Sequence, residues 1–238
     1  MSFHSTFVLI TGATRGIGRA IAFRLASNGY SLLLTSRNEA DLIALKTALT
    51  AFVSSLQVEV LAKDLSNPNE VDELASWALT FQPEILINNA AVFRPVTFLD
   101  QDVEDQQKQW QLNFLASQTL SKALGNFMKK RQKGHIVMIG STASRETVAA
   151  ATYTVTKYAL HGLTLVLRDE LRPHEVRVTE IVAGSTYTSS WEGTSLLKSL
   201  FMAAEDVADA VLFALQSPRS AMVEEIVLRP QKGNVSSF

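Results

Sequence analysis

The sequence predicts an α/β fold, a seven-stranded parallel sheet doubly wound by helices. Three observations carry that expectation. Short runs of aliphatic and β-branched residues alternate with segments of helical period along the 238 residues. Several of those runs are apolar throughout, as parallel strands covered on both faces must be. Strands that alternate with helices form crossover units, and successive crossover units build a doubly wound sheet.

Phe7-Val8-Leu9-Ile10 reads as the first strand. A glycine-rich turn follows it, and then Ile17, Ile21 and Leu25 recur every four residues, the stripe of a helix. Asn28-Gly29 ends that helix. Ser31 to Thr35 and Val58 to Leu61 are the second and third strands. Ser66-Asn67-Pro68 caps a helix on which Val71, Leu74, Ala75 and Ala78 share a face. Ile85-Leu86-Ile87 is the fourth strand.

The segment from Gln107 to Lys130 is expected as one helix, with Leu112, Phe114, Leu115, Leu120, Leu124, Phe127 and Met128 spread over more than one face. Covering one side of a sheet needs a narrower stripe. A subunit interface or a deeply buried central helix would each account for the excess. Ile136 to Ile139 form the fifth strand, a helix opens at Tyr153, and Val176 to Val182 form the sixth strand. Val207, Ala210, Val211, Ala214 and Leu215 mark the last helix, and Ile226-Val227-Leu228 the seventh strand. No repeat or linker interrupts residues 1–238, so a single domain is expected. Its crossovers should be right-handed and its ligand should sit at the carboxyl ends of the strands.

Composition excludes several classes. Apolar residues make up 47% and charged residues 19%, unlike a disordered chain. With 22 Lys plus Arg against 23 Asp plus Glu, the net charge of −1 gives no basic footprint for nucleic acid. The chain has no cysteine, hence no disulfide, thiolate metal cluster or thiol nucleophile. His4, His135, His161 and His174 show no metal-ligand spacing, and no metal is expected. The first residues lack the pattern of a signal peptide, and no apolar run approaches the ~20 residues that span a bilayer. A cytoplasmic protein without membrane attachment is the expectation.

Thr11-Gly12-Ala13-Thr14-Arg15-Gly16-Ile17-Gly18 links the first strand to the first helix. Glycine permits positive φ and close approach of a diphosphate to backbone N–H groups, and the helix terminus adds partial positive charge. Glycines in a tight turn can also serve packing alone. The second strand ends Ser36-Arg37-Asn38, with no acid before Glu39. A carboxylate there would take the ribose hydroxyl of NAD, whereas an arginine accommodates the 2′-phosphate of NADP. Arg15 is placed to help, although both arginines are also ordinary surface residues.

Tyr153 and Lys157 stand i, i+4 on one helix face. An ammonium beside a phenol favours the phenolate, which would bring the tyrosine toward neutral pH for proton exchange with a carbonyl oxygen. Such a pair alone is common by chance. Here Gly140-Ser141-Thr142-Ala143-Ser144 supplies hydroxyls at a strand end, and Asn113 lies inside a helix where asparagine is a poor fit.

Taken together, these residues resemble the short-chain dehydrogenase/reductase superfamily over nearly the whole chain. Thr11 to Gly18 are similar to its TGxxxGxG loop, Asn88-Asn89-Ala90-Ala91 to its NNAG motif, and Asp64-Leu65 to its acidic position after the third strand. Asn113, Ser141, Tyr153 and Lys157 match its catalytic tetrad in order and approximate spacing.

The resemblance implies a Rossmann domain that binds NADP(H) and acts on a small carbonyl. It implies Tyr153 as general acid/base and Ser141 as the group positioning the carbonyl. Lys157 would hold the nicotinamide ribose, and Asn113 would anchor a water. The implied cofactor contacts are Gly12, Thr14, Arg15, Gly16, Ile17, Gly18, Ser36, Arg37, Asp64, Leu65, Asn88, Asn89, Ala90, Gly184, Thr186 and Thr188 beside Tyr153 and Lys157.

Two departures stand out: Ala91 for the last glycine of NNAG, and Ala183 for the proline before Gly184. Tyr187 to Trp191 and Val223 to Pro230 resemble bacterial sepiapterin-reductase-like members, which implies a dicarbonyl side chain or a related ketone. Lys129-Lys130-Arg131-Gln132-Lys133 leaves a 3-oxoacyl-carrier reductase as the alternative, since an acyl carrier is acidic; solvated cations at a helix end explain the run equally. A regulator that binds nucleotide without catalysis is a third possibility, although all four tetrad residues are present. Ser185 to Met202 is expected to be a substrate lid, with Trp191 a stacking platform or simple lid packing. A homodimer or homotetramer is expected, as in the family.

Overall fold

The computed structural model describes residues 4–148, 150–191 and 195–235. Seven strands form one sheet: β1 (His4–Thr11), β2 (Tyr30–Ser36), β3 (Val58–Ala62), β4 (Ile85–Asn88), β5 (Gly134–Ser141), β6 (Val176–Ala183) and β7 (Glu225–Leu228). Their order is β3-β2-β1-β4-β5-β6-β7, and every pairing is parallel. From β1 the chain steps outward to β2 and later returns to β4 on its other side. That reversal opens a crevice at the carboxyl ends of the strands.

Alternation divides the core in two. Val8, Ile10, Leu32 and Leu34 pack toward α1 (Gly16–Ala26), α2 (Glu39–Phe52) and α7 (Ala204–Gln216). Leu9, Leu33, Leu86 and Met138 pack toward α3 (Pro68–Thr80), α5 (Ala116–Arg131) and α6 (Ala151–Leu171). Helix starts follow the expected chemistry: Asn38 Oδ1 accepts from Asp41 N at 3.2 Å, and Asn67 Oδ1 accepts from Asn69 N at 3.1 Å with Pro68 in the first turn.

The segment expected as one helix from Gln107 to Lys130 is instead two helices joined by a wide turn. Helix α4 spans Val103–Trp110, a π-helical turn covers Gln111–Leu115, and α5 follows. A π turn inserts an extra residue and rotates the apolar stripe by about one residue, ~100°. That rotation accounts for apolar residues on more than one face. Beyond it, Ala116, Leu120, Leu124 and Met128 form one buried seam. Among the described residues no helix is long and apolar enough to cross a membrane.

Candidate active site

A cleft of about 1440 Å³ runs along the carboxyl ends of the strands. Small-molecule sites are typically ~300–1,000 Å³, so there is room for a dinucleotide and a second ligand. Gly12 and Gly16 in its floor have φ of +64° and +51°, a conformation that side chains other than glycine rarely adopt. A Cβ on Gly12 would stand 3.0 Å from Ala90 Cα. Helix α1 begins with no side-chain cap, leaving its first N–H groups to a phosphate. Thr14, Arg15, Gly16 and Ile17 border the cleft there. This cradle fits a diphosphate.

Three implied cofactor contacts do not border the cleft. A Cβ on Gly18 would meet Gly12 O at 2.2 Å, so its hydrogen is demanded by the packing of α1 on the loop. Asp64 Oδ1 accepts from Ser66 N and Ser66 Oγ, at 3.0 and 2.8 Å; its carboxylate ties its own turn, and Lys63, Leu65 and Ser66 present the surface. Asn88 is buried, and its Nδ2 donates to Ser121 Oγ at 2.9 Å, joining β4 to α5. Asn89 is oriented by donating to Thr11 O at 2.9 Å and Gly12 O at 3.2 Å. Thr11, not singled out from the sequence, holds the same loop: its Oγ1 accepts from Asn89 N and Ala90 N at 2.9 and 3.0 Å. Its position just before the first glycine was the available signal.

At the end of β2, Ser36, Arg37 and Asn38 border the cleft, opposite Arg15. Among the described residues neither arginine forms an ion pair. Gly184, Thr186 and Thr188 line the other side, with Thr188 Cγ2 3.0 Å from a Cβ built on Gly16.

Ser141 ends β5 and starts a 3₁₀ turn, Thr142–Ser144, where its Oγ accepts from Ala143 N at 3.1 Å. Tyr153 and Lys157 reach the same end of the cleft from α6. Lys157 Nζ donates to Ile139 O at 2.8 Å and stands 5.5 Å from the centre of the Tyr153 ring. The expected lowering of the tyrosine by the ammonium is not the balance found. Burial pushes the Tyr153 hydroxyl up, and a hydrogen bond with Ser141 opposes it. Burial also pulls Lys157 down to about 8, against the charge of Glu180.

Asn113 does not border the cleft. Its Oδ1 accepts from Val92 N, and its Nδ2 donates to Val92 O and to Thr156 Oγ1. Its amide therefore holds the wall beside the motif loop, and the π turn is what carries it inward.

Trp191 lines the cleft. It stacks on Phe93 with ring centres 5.9 Å apart and an interplanar angle of 29°. Phe93, absent from the sequence-based candidates, also meets the Tyr153 ring edge-on at 5.1 Å. The lid segment is pinned at both ends: Tyr187 N donates to Met202 O, and Met202 N to Ser185 O. Residues 192–194 of it lie outside the described residues.

The mouth carries a further polar group the sequence did not reveal. Arg229 Nη1 and Asn234 Nδ2 both donate to Glu146 Oε1 at 2.7 Å, and Asn234 Nδ2 also donates to Thr142 Oγ1 at 3.0 Å. Sequence separations above 80 residues hid this contact.

The fold also brings His161 to Glu180 and Glu225, their ligand atoms within 4.8 Å of one another. Arg145 pairs with Glu225 and lies 3.1 Å from His161 Nε2, so a guanidinium supplies the positive charge of that cluster.

A model of the short chain dehydrogenase family matches residues 6–196. The chain belongs to that family. Its relatives include a sepiapterin reductase of Chlorobaculum tepidum, 32% identical over 239 aligned positions, gaps included, covering 96% of this chain and 97% of that protein. Among solved structures, a metagenomic short-chain oxidoreductase in complex with NADP superposes with a TM-score of 0.84 at 28% identity, covering 97% of this chain and 99% of that one. A short-chain dehydrogenase from Sphingobium yanoikuyae in complex with NADPH does so at 0.83 and 30%, covering 92% and 87%. As a short-chain dehydrogenase the chain is an oxidoreductase, and the Ser141–Tyr153–Lys157 cluster lies at the carboxyl edge where its fold positions a ligand.

Proposed function

We propose that the protein is an NADPH-dependent reductase of a small ketone or dicarbonyl, with Tyr153 as the proton donor. The observation that carries this is the convergence of Ser141, Tyr153 and Lys157 beside the glycine cradle, with the tyrosine held protonated by burial. A phenol that is protonated at neutral pH can give its proton to a carbonyl oxygen and take it back in the reverse reaction. Bound NADPH supplies the hydride to the carbonyl carbon. Ser141 hydrogen-bonds the carbonyl oxygen and stabilises its developing charge. Tyr153 Oη releases its proton to that oxygen, and the carbonyl leaves as an alcohol. Lys157, beside the phenolate that remains, stabilises its charge and holds the nicotinamide ribose.

Arg15, Ser36 and Arg37 support NADPH over NADH, because a 2′-phosphate is the large charge difference between the cofactors. Phe93 and Trp191 form an apolar wall against which a planar or aliphatic substituent packs. The likeness to a sepiapterin reductase makes dicarbonyls the first compounds to try. A 3-oxoacyl-carrier reductase is the less favoured alternative. Lys129 to Lys133 lead into the start of β5, whereas Ser141 ends it, about 23 Å away along an eight-residue strand. A carrier docked on that run would have to span the sheet.

We also propose a cytoplasmic homo-oligomer that pairs through α4, α5 and α6. Val155, Tyr158, Leu165 and Val166 are exposed on α6, and a second cavity is walled by Phe98, Trp110, Leu115 and Val155. A steady-state panel of carbonyl compounds with NADPH and NADH, including sepiapterin, a simple dicarbonyl and short 3-oxoacyl thioesters, tests the function. Turnover of thioesters alone would replace the proposal with the carrier-reductase alternative.

A further inference from the structure

Lys157 and His161 stand i, i+4 on one face of α6, and opposite them β6 buries a carboxylate. Glu180 has no exposed surface. Its Oε2 lies 2.6 Å from His161 Nδ1, and its Oε1 has no hydrogen-bond partner among the described residues. The carboxylate occupies the space over Gly140, where a Cβ would come within 2.3 Å of Oε1. Gly140 lies between Ile139, whose carbonyl receives the Lys157 ammonium, and Ser141. The negative charge is thus set against the one strand residue that separates the lysine's acceptor from the serine.

The charged groups facing Glu180 come from three directions. Lys157 and His161 belong to α6, and Arg145 to the turn after β5. Glu225 on β7 is its neighbour in register and is neutralised by Arg145. Of these, Lys157 is the cation that burial most strongly opposes. An ammonium out of water sheds its proton unless a counter-charge holds it.

The geometry points to Glu180 as the positioning residue of Lys157, a buried counter-charge that keeps the ammonium protonated and aimed at the Ile139 carbonyl, with His161 orienting the carboxylate. The direction of the electrostatics agrees: Glu180 raises the lysine against the burial that lowers it. Gly140 then has a reason to be glycine, because any side chain would displace the carboxylate. The inference rests on Lys157 serving the tyrosine and the cofactor as proposed above.

The test reads the lysine itself and needs no carbonyl substrate, so an inactive preparation does not obscure it. Full-length protein is labelled with acetic anhydride across a pH series, and acetylation of Lys157 is quantified by peptide mass spectrometry. The wild-type midpoint should lie near 8. Glu180→Gln should lower it by about one unit, and Glu180→Asp should restore most of the shift. In an active preparation the alkaline limb of carbonyl reduction should move to lower pH by a similar amount. A folded Glu180→Gln protein with the wild-type midpoint would overturn the assignment. Should that variant not fold, the wild-type midpoint decides. A value below about 7, toward that of buried ammonium groups without a counter-charge, overturns it, and a higher value supports it.

Discussion

Asn113 closes both atoms of its amide on the backbone of Val92, accepting from its N–H at 2.8 Å and donating to its carbonyl at 3.0 Å. The pairing fixes the irregular run that follows Asn88-Asn89-Ala90 against the π turn between α4 and α5. It also sets Phe93, the next residue, against the tyrosine ring. A side chain at the kink of a helix thereby shapes the wall of the cleft without bordering it.

Replacing Asn113 with Ala strips three hydrogen bonds, two of them to the backbone of Val92, and leaves those partly buried groups unpaired. The expected loss is about 1–3 kcal/mol, read as a lower urea midpoint. Carbonyl turnover should fall with it, because Phe93 and the loop lose their anchor. An unchanged midpoint would show that the amide contributes nothing to the wall.

Arg37→Asp should turn cofactor preference toward NADH. The substitution removes a guanidinium from the 2′-phosphate site and supplies the carboxylate that a free ribose hydroxyl requires. The wild-type preference for NADPH should be on the order of a hundredfold in kcat/KM, from two charge-assisted contacts of solvated arginines. Equal kcat/KM for the two cofactors in the wild type would remove the basis for the clamp.

His135 should make the fold acid-sensitive. Thr179 Oγ1 donates its one proton to Val223 O at 2.6 Å, so the ring Nε2–H, 2.8 Å from that oxygen, is the donor to it. Nδ1 is buried with no hydrogen-bond partner among the described residues, and burial lowers the ring to about 3 from its ordinary 6.5. A depressed histidine gives stability that is full above pH 6.5 and is lost as pH falls toward 3. Over that window only the unfolded chain gains the proton. Between pH 7 and pH 4 the loss should be roughly 3 kcal/mol. Comparing wild type with His135→Gln by urea unfolding at pH 7 and pH 4 isolates it. The same pH 7 to pH 4 loss in both proteins would contradict the assignment.

Sedimentation at micromolar concentration should give at least a dimer. Val155→Glu or Val166→Glu on the exposed face of α6 should shift it toward monomer. A monomeric wild type would mean that this face serves no self-association.

Legibility in the sequence followed the range of the interactions. Strands such as Phe7 to Ile10 and Ile136 to Ile139 announce themselves because period and burial are local properties. The glycine turn, Ser141 and the Tyr153–Lys157 pair were legible for the same reason. The roles of Gly18, Asp64 and Asn88 were not, since each is decided by which neighbour its atoms meet: Gly12 O, Ser66 and Ser121. The π turn at Asn113 was hidden because one extra residue changes no composition, only phase. The Glu146–Arg229–Asn234 group joins segments more than 80 residues apart, and the Glu180–His161 pair depends on which side of α6 meets β6; only the folded sheet makes these groups neighbours.

Consumption of NADPH with a dicarbonyl substrate, measured side by side for the wild type and Tyr153→Phe, tests the central claim most directly. The substitution keeps the ring that packs on Phe93 and removes only the transferable proton. The account predicts steady turnover by the wild type. For the variant it predicts a loss of about 10²–10⁴-fold in kcat with NADPH binding largely retained. A variant that keeps most of its kcat would contradict the assignment of Tyr153 as the proton donor.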